Sequence, residues 1–249
     1  MKKTKSPVFT ITTGRTGTTT LISILNTLKQ VNAYHEPKPH YGFENVDAYF
    51  YKLYKSVFFK EEITKSLNRF TIRDFRMFYA NLFNKCYVEH GMNAFLVDFL
   101  IQRYPKAKFI FMHRHPQQII KSGLERDWYK SNDFDKYRIQ PVIEGLNMQS
   151  QSEKIAYFWD RTNKAGIEAR EKYGPSKVHI LPFDKLHNNL ELEMLFLFLG
   201  IDTLNINFDK IHEILSKRLN KNKNNVEYEL SENDKAIVFE TATKLGYKI

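Results

Sequence analysis

Residues 8–21 read Val8-Phe9-Thr10-Ile11-Thr12-Thr13-Gly14-Arg15-Thr16-Gly17-Thr18-Thr19-Thr20-Leu21, and their order decides the fold. Val8 to Thr12 is a short run rich in β-branched residues, which suits a strand. Gly14 and Gly17 then mark a turn, and from Thr18 onward Leu21, Leu25 and Leu28 recur at helical spacing. Strand, glycine turn and helix in succession open an α/β unit. Two glycines let the backbone curl with its N–H groups inward, and the following helix adds the positive end of its dipole. The turn is therefore a candidate anion cradle, with Thr18, Thr19 and Thr20 as hydroxyl donors and Arg15 as the cation. A nucleotide-kinase loop would place four residues between its glycines and a lysine after the second. Here only Arg15 and Thr16 separate them, and Thr18 follows Gly17.

Working outward, Val31–His35 is a second strand candidate that stops at Glu36-Pro37, and Tyr87–Glu89 a short third one. The aromatic-rich residues Val46 to Lys85 are expected to be mostly helical, as is Phe95–Tyr104, which ends before Pro105. Lys108–His113 (KFIFMH) is the best strand in the chain. It is bracketed by Pro105 and Pro116 and apolar throughout its middle, as for a parallel strand buried on both faces. Helices are expected over Gln117–Leu124 and Gln151–Tyr173, and from Asp184 to a stop at Gly200, with a strand at Lys177–Leu181. Ser231 with Asp234 three residues on reads as the cap of a last helix running to Gly246. Strands alternating with helices predict an α/β fold of three layers, a central parallel β-sheet flanked by helices.

The composition agrees. The 249 residues are 42% hydrophobic and 14% aromatic, enough for one substantial core, so a single domain over 1–249 is expected. Lys and Arg number 38 against 28 Asp and Glu, a formal net charge of +10 that favours an anionic partner. Cys86 is the only cysteine, which excludes an intrachain disulfide and a cysteine-based zinc cage. The longest apolar run beyond the first strand, Met194–Leu199, is far short of the ~20 residues of a membrane span. Met1 to Lys5 is basic, but the apolar stretch behind it is too short for a signal peptide. A soluble, cytoplasmic protein is the expectation.

A second chemical signal is Phe111-Met112-His113-Arg114-His115-Pro116, which closes the best strand, with Ser122 eight residues past Arg114 on the next helix. The carboxyl end of a central parallel strand is where such sheets bind ligands, and a guanidinium fork suits phosphate oxygens. A Gly14-Arg15-Thr16-Gly17-Thr18-Thr19 loop joined to this Arg-x-Pro motif and its serine resembles the sulfotransferase family that uses 3′-phosphoadenosine 5′-phosphosulfate (PAPS). Supporting segments are Tyr34-His35-Glu36-Pro37, Tyr104-Pro105-Lys106-Ala107-Lys108-Phe109-Ile110, Phe158-Trp159, and Leu181-Pro182-Phe183-Asp184-Lys185-Leu186 with Phe198-Leu199-Gly200. Two departures from the family pattern are visible. His115 stands where an aspartate is common, and Arg15 where the loop cation is often lysine.

The resemblance implies a P-loop-like nucleotide-binding fold and sulfuryl transfer from PAPS to a hydroxyl or amine, releasing 3′-phosphoadenosine 5′-phosphate (PAP), with no metal required. It implies that Gly14, Arg15, Thr16, Gly17, Thr18 and Thr19 bind the 5′-phosphosulfate and that Arg114 and Ser122 hold the 3′-phosphate. A basic loop late in the chain usually closes over the nucleotide. Arg218, Lys221 and Lys223 are the candidates here, although a run such as Lys217–Asn225 also suits a solvated surface. A general base must take the acceptor's proton. Glu36 is the first candidate, at the end of the second strand. His35 is the neighbour whose side chain alternation would send to the other face, and Glu89 is the other carboxylate near the same edge. The family uses either histidine or glutamate, so the choice stays open. Carbohydrate, lipid, small alcohol and peptide acceptors also remain open. An ATP-dependent kinase would need a loop lysine and a magnesium site, neither of which is found. A nucleic-acid-binding module would need its basic residues clustered, whereas they are spread along the chain.

Overall fold

The structure, a computed structural model, describes residues 5–36, 72–91, 93–130, 150–204, 206–217 and 226–249. Five parallel strands form its sheet: β1 (Val8–Ile11), β2 (Val31–His35), β3 (Cys86–His90), β4 (Lys108–His113) and β5 (Val178–Pro182). Their spatial order is β2-β3-β1-β4-β5. The helices are α1 (Thr18–Leu25), α2 (Ile72–Leu82), α3 (Val97–Arg103), α4 (Pro116–Leu124), α5 (Gln151–Tyr173), α6 (Asn189–Leu199), α7 (Phe208–Ser216) and α8 (Glu232–Lys244). Two 3₁₀ turns, Ala94–Leu96 and Phe183–His187, complete the described elements. Among the described residues no helix is long and apolar enough to cross a membrane.

Strand alternation sorts the core into two layers. Val8, Val88, Ile110, Met112 and Leu181 face α1, α6 and α7, packing on Leu21, Leu25, Leu195, Phe196 and Ile211. Phe9, Ile11, Phe109 and Phe111 face the other way, onto Leu100, Ile120, Phe158, Trp159 and Val238. Burial on both faces is why these strands read as near-continuous apolar runs. α5 comes so close to the sheet that a Cβ on Gly166 would lie 2.4 Å from the Phe111 ring, so only glycine fits there.

Most expected elements are present with shifted ends. α4 starts at Pro116, whose missing N–H costs nothing in a first turn. α8 ends at Lys244, short of Gly246, where φ turns to +80°. The single helix expected from Asp184 to Gly200 is two elements. Asn188 leaves helical geometry, and its side chain accepts from Leu190 and Glu191 N–H at 2.9 and 3.3 Å, starting α6 afresh. α7, capped by Asn207, was not expected from the sequence. Of the helical block Val46 to Lys85, α2 is described, and residues 46–71 lie outside the described residues.

Candidate active site

The site lies at the carboxyl ends of β1 and β4. These strands pair in parallel, with Phe9 opposite Phe109 and Ile11 opposite Phe111, so the segments leaving them start side by side. Here the chain has crossed from one side of β1 to the other, the switch point beyond whose strand ends parallel sheets bind their ligands.

The loop from Thr12 to Gly17 is held by its own hydroxyls. Thr12 Oγ1 lies 2.5 Å from Thr16 Oγ1 and accepts from Gly14 N–H at 3.1 Å, while Thr13 Oγ1 donates to the Gly14 carbonyl at 2.9 Å. Gly14, Arg15 and Gly17 all adopt positive φ, 77°, 58° and 81°. For Arg15 that conformation is disfavoured, and a non-glycine residue held there in a loop commonly marks a functional site. At Gly17 the requirement is double, because a Cβ would also sit 2.7 Å from the Phe183 ring and 2.8 Å from Leu186. The N-terminus of α1 has no side-chain cap, and its first turn has no acidic residue. Its N–H groups and dipole are thereby left to an anion.

Arg114 leaves β4 directly above this loop. Its Nη1 donates to the Arg15 carbonyl at 3.1 Å, its Nε to Gln118 Oε1 at 2.5 Å, and its guanidinium lies 4.1 Å over the Phe183 ring. Phe183, at the start of the 3₁₀ turn after β5, is thus wedged between Gly17 and Arg114. Trp159 Nε1 donates to the Arg114 carbonyl at 2.9 Å. From the loop side, Arg15 Nε donates to Ser122 Oγ at 2.9 Å, and Ser122 is buried on α4. Burial first, then the neighbouring Arg126 and Arg114, pull the Arg15 pKa down to about 10, against Glu125. Burial also lowers that of Arg114. Both guanidiniums remain charged near pH 7, and like charges gathered in a half-buried place favour an anion between them.

The β2 edge carries the base candidates. His35 pairs across with His90, and their rings lie 4.6 Å apart. His35 Nε2 is 3.2 Å from Thr19 Oγ1, at the start of α1. Glu36 lies past the strand end with φ at +44°, its N–H donating to the His90 carbonyl at 2.7 Å and its Oε1 4.0 Å from His90 Nε2. Alternation therefore does not separate His35 from Glu36, because it applies to extended backbone and Glu36 has left it. Both end up beside His90, a residue the sequence reading missed. His90 is buried, and its Nδ1 shares a 2.8 Å hydrogen bond with Thr10 Oγ1. Its signal was its position at the end of β3, one residue past Glu89.

The structure does not bring Glu89 to this edge. Its side chain turns to the opposite face, 1% exposed, where Arg73 of α2 holds both its oxygens at 2.9 and 2.5 Å and Tyr87 donates to it at 2.5 Å. A carboxylate so engaged, on the far side of the sheet from α1, belongs to the packing of α2 on the sheet. Arg218, Lys221 and Lys223 lie outside the described residues.

A parallel sheet whose first strand opens into an uncapped helix N-terminus, with an arginine just past the end of a neighbouring strand, is a P-loop-like α/β fold of the nucleotide-binding kind. The chain belongs to the sulfotransferase family, whose sequence profile matches residues 7–204. Its fold is similar to that of the sulfotransferase domain from the curacin biosynthetic pathway, at 15% identity over 98% of this chain and 99% of that one, with a TM-score of 0.60. It is also similar to sulfotransferase STF9 from Mycobacterium avium, at 11% identity over 99% and 78% of the two chains and a TM-score of 0.57. A third similar structure is the sulfotransferase domain from the Synechococcus PCC 7002 olefin synthase, at 15% identity over 98% and 97%, with a TM-score of 0.55. No curated protein sequence matches the chain significantly.

Proposed function

We propose that the protein transfers a sulfuryl group from PAPS to a hydroxyl or amine acceptor, with Glu36 as the base. The observation that carries this is the contact of Arg114 Nη1 with the Arg15 carbonyl at 3.1 Å. It supports the reading because it puts the strand-end arginine beside the glycine loop, as a nucleotide phosphorylated at both its 5′ and 3′ ends would require. Gly14 to Thr19 would take the 5′-phosphosulfate, with the α1 N–H groups and Arg15 against its oxygens. Arg114 and Ser122 would take the 3′-phosphate.

In the reaction the acceptor oxygen or nitrogen forms a bond to sulfur as the bond from sulfur to the 5′-phosphate oxygen breaks, and the acceptor's proton passes to Glu36. Transfer of this kind resembles phosphoryl transfer, where catalysis is mainly alignment and stabilisation of charge on the leaving group. Arg15 and the loop N–H groups are the donors that would stabilise that charge, Arg15 swinging from its Ser122 hydrogen bond to do so. Glu36, half-exposed and 4.0 Å from His90 Nε2, can accept the proton with an imidazole beside it to share or relay it. The ATP-dependent alternative fits less well, since the loop keeps the short glycine spacing and carries arginine in place of the P-loop lysine.

Thermal unfolding with added nucleotide tests the donor. At about 100 times Kd, PAP should stabilise the protein by ~2.7 kcal/mol, with a clearly smaller shift from AMP at the same concentration. A larger shift with ATP and Mg²⁺ than with PAP would overturn the assignment.

The base is tested by a pair of variants. Glu36→Gln should slow sulfuryl transfer to an acceptor by about 10²–10⁴-fold, measured over a panel of phenols, alcohols and sugars, with PAP affinity unchanged. Glu89→Gln should act on stability instead, by roughly 3–5 kcal/mol, because it removes the carboxylate charge that the buried Arg73 holds. Wild-type turnover by Glu36→Gln would remove the carboxylate from the mechanism.

A further inference from the structure

Past α8 the chain turns at Gly246, with φ at +80° and the Tyr247 N–H bonded back to the Ala242 carbonyl at 2.9 Å. That turn sends Tyr247 to the end of β4, where it meets both residues flanking Arg114. Its hydroxyl lies 2.7 Å from His113 Nδ1, and its ring meets the His113 ring edge-on at 5.5 Å and 77°. The same ring meets His115 edge-on at 5.3 Å and 70°, and His115 Nε2 donates to the Lys248 carbonyl at 3.1 Å. Trp159 fixes the Arg114 carbonyl from the other side. The tripeptide that carries the arginine is thus gripped at each end by one aromatic residue. Its own contacts with Arg15, Gln118 and Phe183 are left to the guanidinium.

We infer that Tyr247 is a positioning residue for the 3′-phosphate site, acting through His113 and His115 to hold Arg114 over the loop. His113 suits the role. It is 4% exposed, and burial draws its pKa down to about 4 despite nearby Asp184, so it keeps one protonation state, the neutral one, near pH 7. Misplacing a ligand-binding group by about 1 Å is enough to cost much of its effect. The inference rests on the donor reading given above.

The test compares Kd for PAP, which has a 3′-phosphate, with Kd for AMP, which lacks one, by calorimetric titration of the wild type, Tyr247→Phe and Tyr247→Ala. In Tyr247→Ala the PAP Kd should rise about tenfold while the AMP Kd changes less than about twofold. Tyr247→Phe keeps the ring between the histidines and should recover most of that loss. If the alanine variant does not fold, Tyr247→Leu, which keeps bulk without the aromatic edge, takes its place with the same expected ratio. PAP and AMP affinities falling together, or PAP affinity staying unchanged, would overturn the role. A wild type that binds AMP as tightly as PAP would instead refute the donor reading, and this inference with it.

Discussion

Arg15→Ala should slow the conversion of PAPS to PAP by roughly 10²–10³-fold under single-turnover conditions, with a much smaller change in PAPS affinity. That is the usual cost of removing one preorganised donor from the place where charge develops in a transition state. The loop N–H groups and Arg114 would still bind the donor, so the loss falls on the step and not on capture. Arg15→Lys keeps the charge but gives up the guanidinium fork, one arm of which reaches Ser122 at 2.9 Å, and should sit between the two, near a tenfold loss. An alanine variant within about threefold of the wild type would show that the loop backbone alone supports the leaving group.

Arg114→Ala should weaken PAP binding by about 10²-fold, ~2.7 kcal/mol, which is within the range for removing one partner of a half-buried charge contact. AMP affinity should hold within about threefold. The specificity of the effect follows from place. Arg114 stacks on Phe183 at 4.1 Å and reaches the loop through the Arg15 carbonyl, so its removal should take a charged donor from the proposed 3′-phosphate place and leave the loop standing. An equal loss for both nucleotides would mean that Arg114 supports the loop itself.

Much of this was legible in the chain, and for identifiable reasons. The strand–turn–helix over residues 8–25 rests on local spacing and on the conformational demands of Gly14 and Gly17. The buried character of Lys108–His113 follows from an apolar run with no alternation, which has one common structural meaning. The break at Asn188 is not legible in the sequence because the apolar pattern of Met194 to Leu199 extends smoothly upstream, and a cap interrupts a helix without disturbing hydrophobic spacing. α7 is hidden for another reason. It is short, largely exposed and anchored by Ile211, so little of its sequence reports burial.

Among the base candidates, sequence could name Glu36, His35 and Glu89 but could not sort them. Glu36 and His90 are 54 positions apart and meet because β2 and β3 pair in the register that sets His35 against His90. Glu89 and Arg73 are 16 apart and meet because α2 lies across the other face. The positive φ of Glu36 is imposed by neither composition nor period, and it alone undoes the alternation that would have sent it away from His35.

The sequence by itself determined that this chain is a parallel α/β protein with a glycine turn suited to an anion after its first strand and an arginine at the end of its fourth. Those properties depend on residues within a few turns of one another. Tertiary structure alone decided that the turn and the arginine meet at one end of the sheet, that Phe183 packs under the arginine and against Gly17, that Tyr247 grips the arginine's flanks, and that Glu36 rather than Glu89 lies beside His90. Such pairings are set by strand register and helix placement, long-range terms to which every buried side chain contributes and which no short segment encodes.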